Sequence, residues 1–169
     1  MKNLPACQTC VSSGFLCTSC QEKYDEGDLT DFELDLSKDF LELEEQEEYS
    51  FLKKASFYKA IDFGDVVILL VDKNFKIKAS QKLLDWIKDV YEIDQLILIK
   101  KSNDPRTTLE ALIAPAKLLS LNEIFLATGD IEYKATLRER DREKILFTAG
   151  ELEDLIEEMN NVIVRIEFQ

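Results

Sequence analysis

Ser56-Phe57-Tyr58-Lys59-Ala60-Ile61-Asp62-Phe63-Gly64-Asp65-Val66-Val67-Ile68-Leu69-Leu70-Val71 carries the densest run of aromatic and β-branched residues in the chain. Residues 56–63 and 65–71 read as two strands joined at Gly64. Downstream, Leu83, Leu84, Ile87 and Val90 recur at helical spacing, so residues 80–91 read as a helix, and residues 96–99 as a further strand. Asn103-Asp104-Pro105 marks a break, after which the order repeats. A helix over 107–119, softly interrupted by Pro115, precedes strands 123–127 and 131–137 around Gly129-Asp130, a helix 151–160 and a last strand 162–168. Upstream, Leu29, Phe32, Leu36, Phe40 and Leu43 step by three and four, which makes residues 30–52 an amphipathic helix capped by Thr30 or Asp31. The fold class is therefore α+β, two tandem α-β-β-α-β units that duplicate an architecture rather than a sequence.

The chain has 169 residues with 46% hydrophobic positions, enough for a sizeable core. It has 34 acidic against 21 basic residues, a net charge of −13, so its surface as a whole repels phosphate and any nucleic-acid contact must be local. Histidine is absent, which removes imidazole catalysis, the usual serine and cysteine triads and every metal site that needs imidazole. With five glycines there is no Walker loop and no dinucleotide fingerprint. The longest apolar run, 66–71, is strand-sized, and no charged-then-apolar leader pattern precedes the cysteines. These features lead to the expectation of a soluble, cytoplasmic, non-enzymatic protein with no membrane partner.

All four cysteines fall within the first twenty residues, as Cys7-Gln-Thr-Cys10 and Cys17-Thr-Ser-Cys20, six residues apart. A Cys-x-x-Cys turn aims two thiolates at one point, and two such turns close a tetrahedral sulfur shell suited to a structural Zn²⁺. Two other chemistries compete. Disulfides suit an oxidising compartment, which nothing in the sequence indicates, and a redox Cys-x-x-Cys occurs singly between a strand and a helix. Residues 1–24 are expected to form the knuckle, 25–102 the acidic helix with the first unit, and 103–169 the second unit.

Residues 22–48 hold thirteen acidic side chains against Lys23 and Lys38. A solvated helix face accounts for such a run, and so does a docking face for a basic protein. Two basic islands stand out against this background: Lys73, Lys76, Lys78 and Lys82, and then Arg138, Arg140, Arg142 and Lys144. Each follows the second strand of its unit. The second island alternates with acids and reads equally as a solvated, ion-paired loop. Phe75 is placed either to stack on a base or to fold back on the core, and Trp86 to pack.

The double Cys-x-x-Cys with Gly14-Phe15-Leu16-Cys17 and Cys20-Gln21-Glu22-Lys23 resembles an archaeal family of NusA-like KH-domain RNA-binding proteins with a zinc knuckle. Pro115-Ala116-Lys117-Leu118-Leu119, Glu132-Tyr133-Lys134-Ala135 and Arg140-Asp141-Arg142-Glu143-Lys144 extend the resemblance over essentially the whole chain. It implies KH-like units that bind single-stranded RNA beside a Gly-x-x-Gly loop. This sequence lacks that glycine pair in both units, so Lys73, Lys76, Lys78, Arg138, Arg140, Arg142 and Lys144 would have to replace backbone amides as phosphate ligands. The expected role is an accessory factor of transcription or the ribosome that contacts single-stranded or ribosomal RNA and a basic protein of RNA polymerase or the ribosome. The alternative is a degenerate KH scaffold acting as an acidic protein adaptor or nucleic-acid mimic.

Overall fold

The computed structural model describes residues 1–75 and 81–169, which divide into two compact units, Met1–Lys100 and Lys101–Gln169. In the first, α1 (Gln8–Ser13) and α2 (Thr18–Asp25) each follow the first cysteine of a Cys-x-x-Cys pair. Helix α3 spans Asp31–Leu43 and begins with a full capping box, the Thr30 hydroxyl accepting from the Glu33 amide while the Glu33 carboxylate accepts from the Thr30 amide. The expected continuation to residue 52 does not occur. Glu42, Glu44, Glu45, Glu47 and Glu48 crowd the negative end of the helix dipole, and the chain restarts as a 3-10 helix over Glu47–Lys54. Glu44 is buried and takes the Met1 amino group as its partner.

Strands β1 (Phe57–Phe63), β2 (Val66–Val71) and β3 (Gln95–Lys100) form a mixed sheet in the order β1-β2-β3, with β1 antiparallel and β3 parallel to β2. Between β2 and β3 runs α4 (Gln81–Tyr91). Leu83 and Ile87 of α4 and Leu36 and Phe40 of α3 join Phe57, Leu69 and Val71 in one core. Phe75 belongs to it too, only 1% exposed, with its ring 6.0 Å from those of both Phe40 and Phe51. It folds back on the core and is not available to stack on a base. Trp86 packs half-buried against the same cluster. On the other side of α3, Leu34 and Leu41 meet a second, smaller cluster of Ala6, Cys10, Val11, Cys20 and Leu29.

The second unit repeats the order. Helix α5 (Pro105–Leu112) starts on the Asp104 cap, with Pro105 at its first turn. It stops far short of residue 119, because Pro115 disfavours helical backbone at the residue before it, and the chain turns over residues 113–116 before the next strand begins at Leu118. Strands β4 (Leu118–Phe125), β5 (Ile131–Leu137) and β6 (Ile163–Phe168) pair in the order β4-β5-β6, again antiparallel and then parallel. The register of both first strands slips near its start, between Phe57 and Lys59 in one unit and between Leu118 and Ser120 in the other. Between β5 and β6 lie a 3-10 helix, Glu139–Lys144, and α6 (Ala149–Asn160), which carries a second capping box at Thr148 and Glu151. Leu152, Leu155 and Ile156 of α6 are buried, as are Ala135, Leu137, Val164 and Ile166 of the sheet. The chain is thus α+β with two three-stranded mixed sheets and a four-cysteine cluster near its start. Among the described residues no helix is long and apolar enough to cross a membrane.

Candidate functional site

The two Cys-x-x-Cys turns are built alike. Cys7 is the N-cap of α1 and Cys17 the N-cap of α2, each in extended backbone, so the first sulfur of each pair sits at a helix start and the second, Cys10 or Cys20, one turn in. The turns then cross-bond: the Cys7 amide donates to Cys20 Sγ at 3.5 Å, and the Cys17 amide to Cys10 Sγ at 3.1 Å. Gly14, with φ of 74°, ends α1 in the left-handed region and lets the chain reverse toward the second turn. All four sulfurs lie within 4.8 Å of one another. A Zn–S bond of about 2.3 Å in tetrahedral geometry demands an S···S edge of about 3.8 Å, so small side-chain adjustments seat a divalent ion. No disulfide joins any pair.

Burial and charge suit a closed structural site rather than a catalytic one. Cys10 and Cys20 are buried and Cys7 and Cys17 exposed, and four protein sulfurs leave no position for water or substrate. The sulfurs already share protons unequally. The Cys20 amide, followed by hydrogen bonds from neighbouring thiols, draws Cys17 down to about 7, whereas the hydrogen bond with Cys7 pushes Cys10 up to about 12. Lys2 and Lys23 line the cleft that opens on Cys7 and Cys17, where they offset the negative charge that four thiolates leave around a divalent ion.

The basic islands fare differently. The Arg138–Lys144 stretch is not an open loop: residues 139–144 wind as a 3-10 helix around Asp141, which is only 7% exposed. Lys144 Nζ lies 2.6 Å from Asp141 Oδ1, and this bond, with the charges of Lys144, Arg140 and Arg138, holds the Asp141 carboxyl below the usual range. Arg142 meets Glu139 at 3.2 Å and lies 4.8 Å from the centre of the Phe168 ring. Arg138 is half-buried, whereas Arg140, Arg142 and Lys144 are exposed. In the first unit Lys73 is exposed on the turn after β2, Lys82 is held by Glu48 at 2.7 Å, and Lys76 and Lys78 lie outside the described residues. Lys53 and Lys54, which periodicity alone leaves as a boundary, line one surface groove with Lys73 and Asn74. The adjacent lysine pair closing a long acidic run was the available signal for them.

No protein-family model and no curated protein matches the chain. Among solved structures, the crystal structure of APE1850 is similar, with 16% identity over 71% of this chain and 92% of that one and a TM-score of 0.49.

Proposed function

We propose that this chain is a non-enzymatic RNA-binding accessory factor of the NusA-like kind. In this reading a zinc knuckle and two KH-like units present local cations to single-stranded or ribosomal RNA, and the acidic face of α3 and its sequel docks on a basic protein of RNA polymerase or the ribosome. The observation that carries the reading is positional. In each unit a cation or a basic cluster follows the central strand of a sheet of the same topology: Lys73 after β2, joined in one surface groove by Lys53 and Lys54 from the 3-10 helix before β1, and Arg138 to Lys144 after β5. Those cations are the local phosphate ligands that a net charge of −13 requires. The adaptor reading also has an observation behind it, since Lys53, Arg142 and Lys144 already hold Glu45, Glu139 and Asp141.

Charge reversal separates the two. Glu44 is buried under the Met1 amino group and must be left alone, whereas Glu42, Glu45 and Glu47 are exposed. Reversing those three to lysine should leave affinity for naked single-stranded RNA unchanged or raised, and should abolish co-sedimentation with ribosomes or polymerase. Reversing Arg138, Arg140 and Arg142 to glutamate should weaken RNA binding tenfold or more, because each is a candidate phosphate contact. If the arginine set proves neutral and only the acidic set matters, the adaptor reading replaces this one.

A further inference from the structure

The four sulfurs of the knuckle differ in access and in spacing. Cys10 is 3% and Cys20 5% exposed, whereas Cys7 and Cys17 are exposed and face a cleft of about 310 Å³ that Lys2 and Lys23 also line. Cys7 Sγ lies 3.0 Å from Cys10 Sγ in a thiol–thiol hydrogen bond. That is shorter than the tetrahedral edge of about 3.8 Å that zinc imposes, and about 1 Å longer than a disulfide bond of about 2.05 Å. This pair must therefore spread to take a metal ion, whereas to oxidise it need only close. The local backbone permits closing. Cys7 is the N-cap of α1 and Cys10 lies one turn in, so the two side chains stand on one side of the helix and can join without unwinding it. The Cys17 amide, donating to Cys10 Sγ at 3.1 Å, fixes the orientation of that buried sulfur.

We propose that Cys7 and Cys10 are an oxidant-reactive pair: hydrogen peroxide oxidises Cys7, and Cys10 resolves the product into a disulfide that displaces the metal ion. The displacement, though not the reaction of the pair, rests on the zinc reading of the cluster. An exposed sulfur poised beside a resolving one is the arrangement of oxidation-sensitive cysteines. The Cys7 thiolate attacks one peroxide oxygen, the O–O bond breaks and hydroxide leaves, which gives a sulfenic acid at Cys7. The Cys10 thiolate then attacks the Cys7 sulfur, the S–S bond forms, the S–O bond breaks and a second hydroxide leaves. The two sulfurs together give up two electrons, the peroxide takes them, and two protons from solvent turn both hydroxides into water. Lys2 and Lys23 in the cleft offset the charge of the departing hydroxides. The new bond removes two of the four ligands. With no histidine in the chain to take over, Cys17 and Cys20 alone leave the shell open, so the ion departs and the knuckle loses what holds it folded. Cys17 shares the cleft with Cys7, so a Cys17–Cys20 bond is the competing product.

The test uses the reduced 169-residue protein, supplied with Zn²⁺ in one arm and metal-free in the other. Each is treated with millimolar hydrogen peroxide for increasing times, blocked with N-ethylmaleimide and cut with chymotrypsin without reduction. Cleavage after Phe15 and Leu16 separates Cys7 and Cys10 from Cys17 and Cys20. In the mass spectrum the fragment holding Cys7 and Cys10 should become two hydrogens lighter than its reduced form, with no maleimide adduct, before the Cys17–Cys20 fragment loses either of its two adducts. In the zinc arm a colorimetric chelator should register one Zn²⁺ released per chain as that bond forms, and a phosphine reductant should restore binding. Absence of the bond in both arms overturns the proposal. So does a bond that forms first between Cys17 and Cys20, one that joins the two fragments, or zinc that stays bound while the pair oxidises. A chain that takes up no Zn²⁺ yet closes the Cys7–Cys10 bond supports the reactive pair and refutes the zinc reading alone. Every arm uses the wild-type chain, so no outcome depends on a variant that folds.

Discussion

If the four cysteines hold the proposed Zn²⁺, chelating it, or replacing Cys10 by serine, should melt residues 5–29 and leave the β1-β2-β3 sheet folded. The knuckle's own cluster is small, with Ala6, Val11 and Leu29 as its buried aliphatics beside Cys10 and Cys20, whereas the core around Phe40, Phe57 and Leu69 draws nothing from the cysteines. Structural zinc in small cysteine modules supplies about 10–16 kcal/mol, far more than so few side chains return by burial. Amide exchange should therefore lose protection over α1 and α2, and the methyl resonances of Leu69, Val71 and Ile87 should stay in place. Metal analysis of protein purified without chelator should give one Zn²⁺ per chain. The pH dependence has a definite sign. Thiols must lose their protons to bind metal, and with Cys17 near 7 and Cys10 near 12 before binding, protons are released at neutral pH, so affinity rises with pH and falls as acid reprotonates the sulfurs. A knuckle whose amide protection survives complete metal removal would contradict the structural role.

Glu33→Ala should destabilise the first unit by about 2–4 kcal/mol. Glu33 is only 1% exposed and accepts three hydrogen bonds, from the Thr30 amide at 2.9 Å, the Thr30 hydroxyl at 3.2 Å and the Ala60 amide at 2.8 Å. Losing the cap costs about 1 kcal/mol, and leaving a buried backbone N–H without a partner adds about 1–3 kcal/mol. Trp86 is the only tryptophan and packs against this unit's core, so its fluorescence follows the unfolding of this unit during urea denaturation. Glu33→Gln keeps the carbonyl toward Ala60 and should cost less than half as much. An alanine variant within 0.5 kcal/mol of wild type would show that water or a shifted backbone satisfies both amides.

How much of this was legible in the sequence follows from which forces are local. The Thr30 cap, the strand over 131–137 and the close of the α6 helix at residue 160 were readable, because capping chemistry and apolar alternation act within a few residues. The end of α3 at Leu43 was missed although the apolar steps stop there: Gln46 and Glu47 take the next helical positions, and carboxylates crowd the helix terminus. The link from Glu33 to Ala60 was invisible for a different reason: it joins residues 27 apart in sequence and exists only once helix and sheet are packed. The cysteine cluster was legible as a cluster, since its spacing is its geometry, while the two helices that begin on Cys7 and Cys17 were missed. Cysteine is not among the residues usually read as helix caps, although Gly14 after Ser13 gave a stop signal for α1. In the basic islands the sequence supplied the charges, but the ion pairs of Arg142 and Lys144 depend on the 3-10 turn that places them beside Glu139 and Asp141.

The most direct test of the functional reading is the salt dependence of binding between the 169-residue protein, supplied with Zn²⁺, and single-stranded RNA, measured by filter binding from 50 to 300 mM KCl. Contacts to about four to six phosphates predict that the logarithm of the association constant falls with the logarithm of salt with a slope of about −3 to −4, since each phosphate neutralised on a single strand contributes about −0.7. Absence of binding at 50 mM KCl, or a slope near zero, would contradict RNA binding by these cations and leave the adaptor role as the account of this chain.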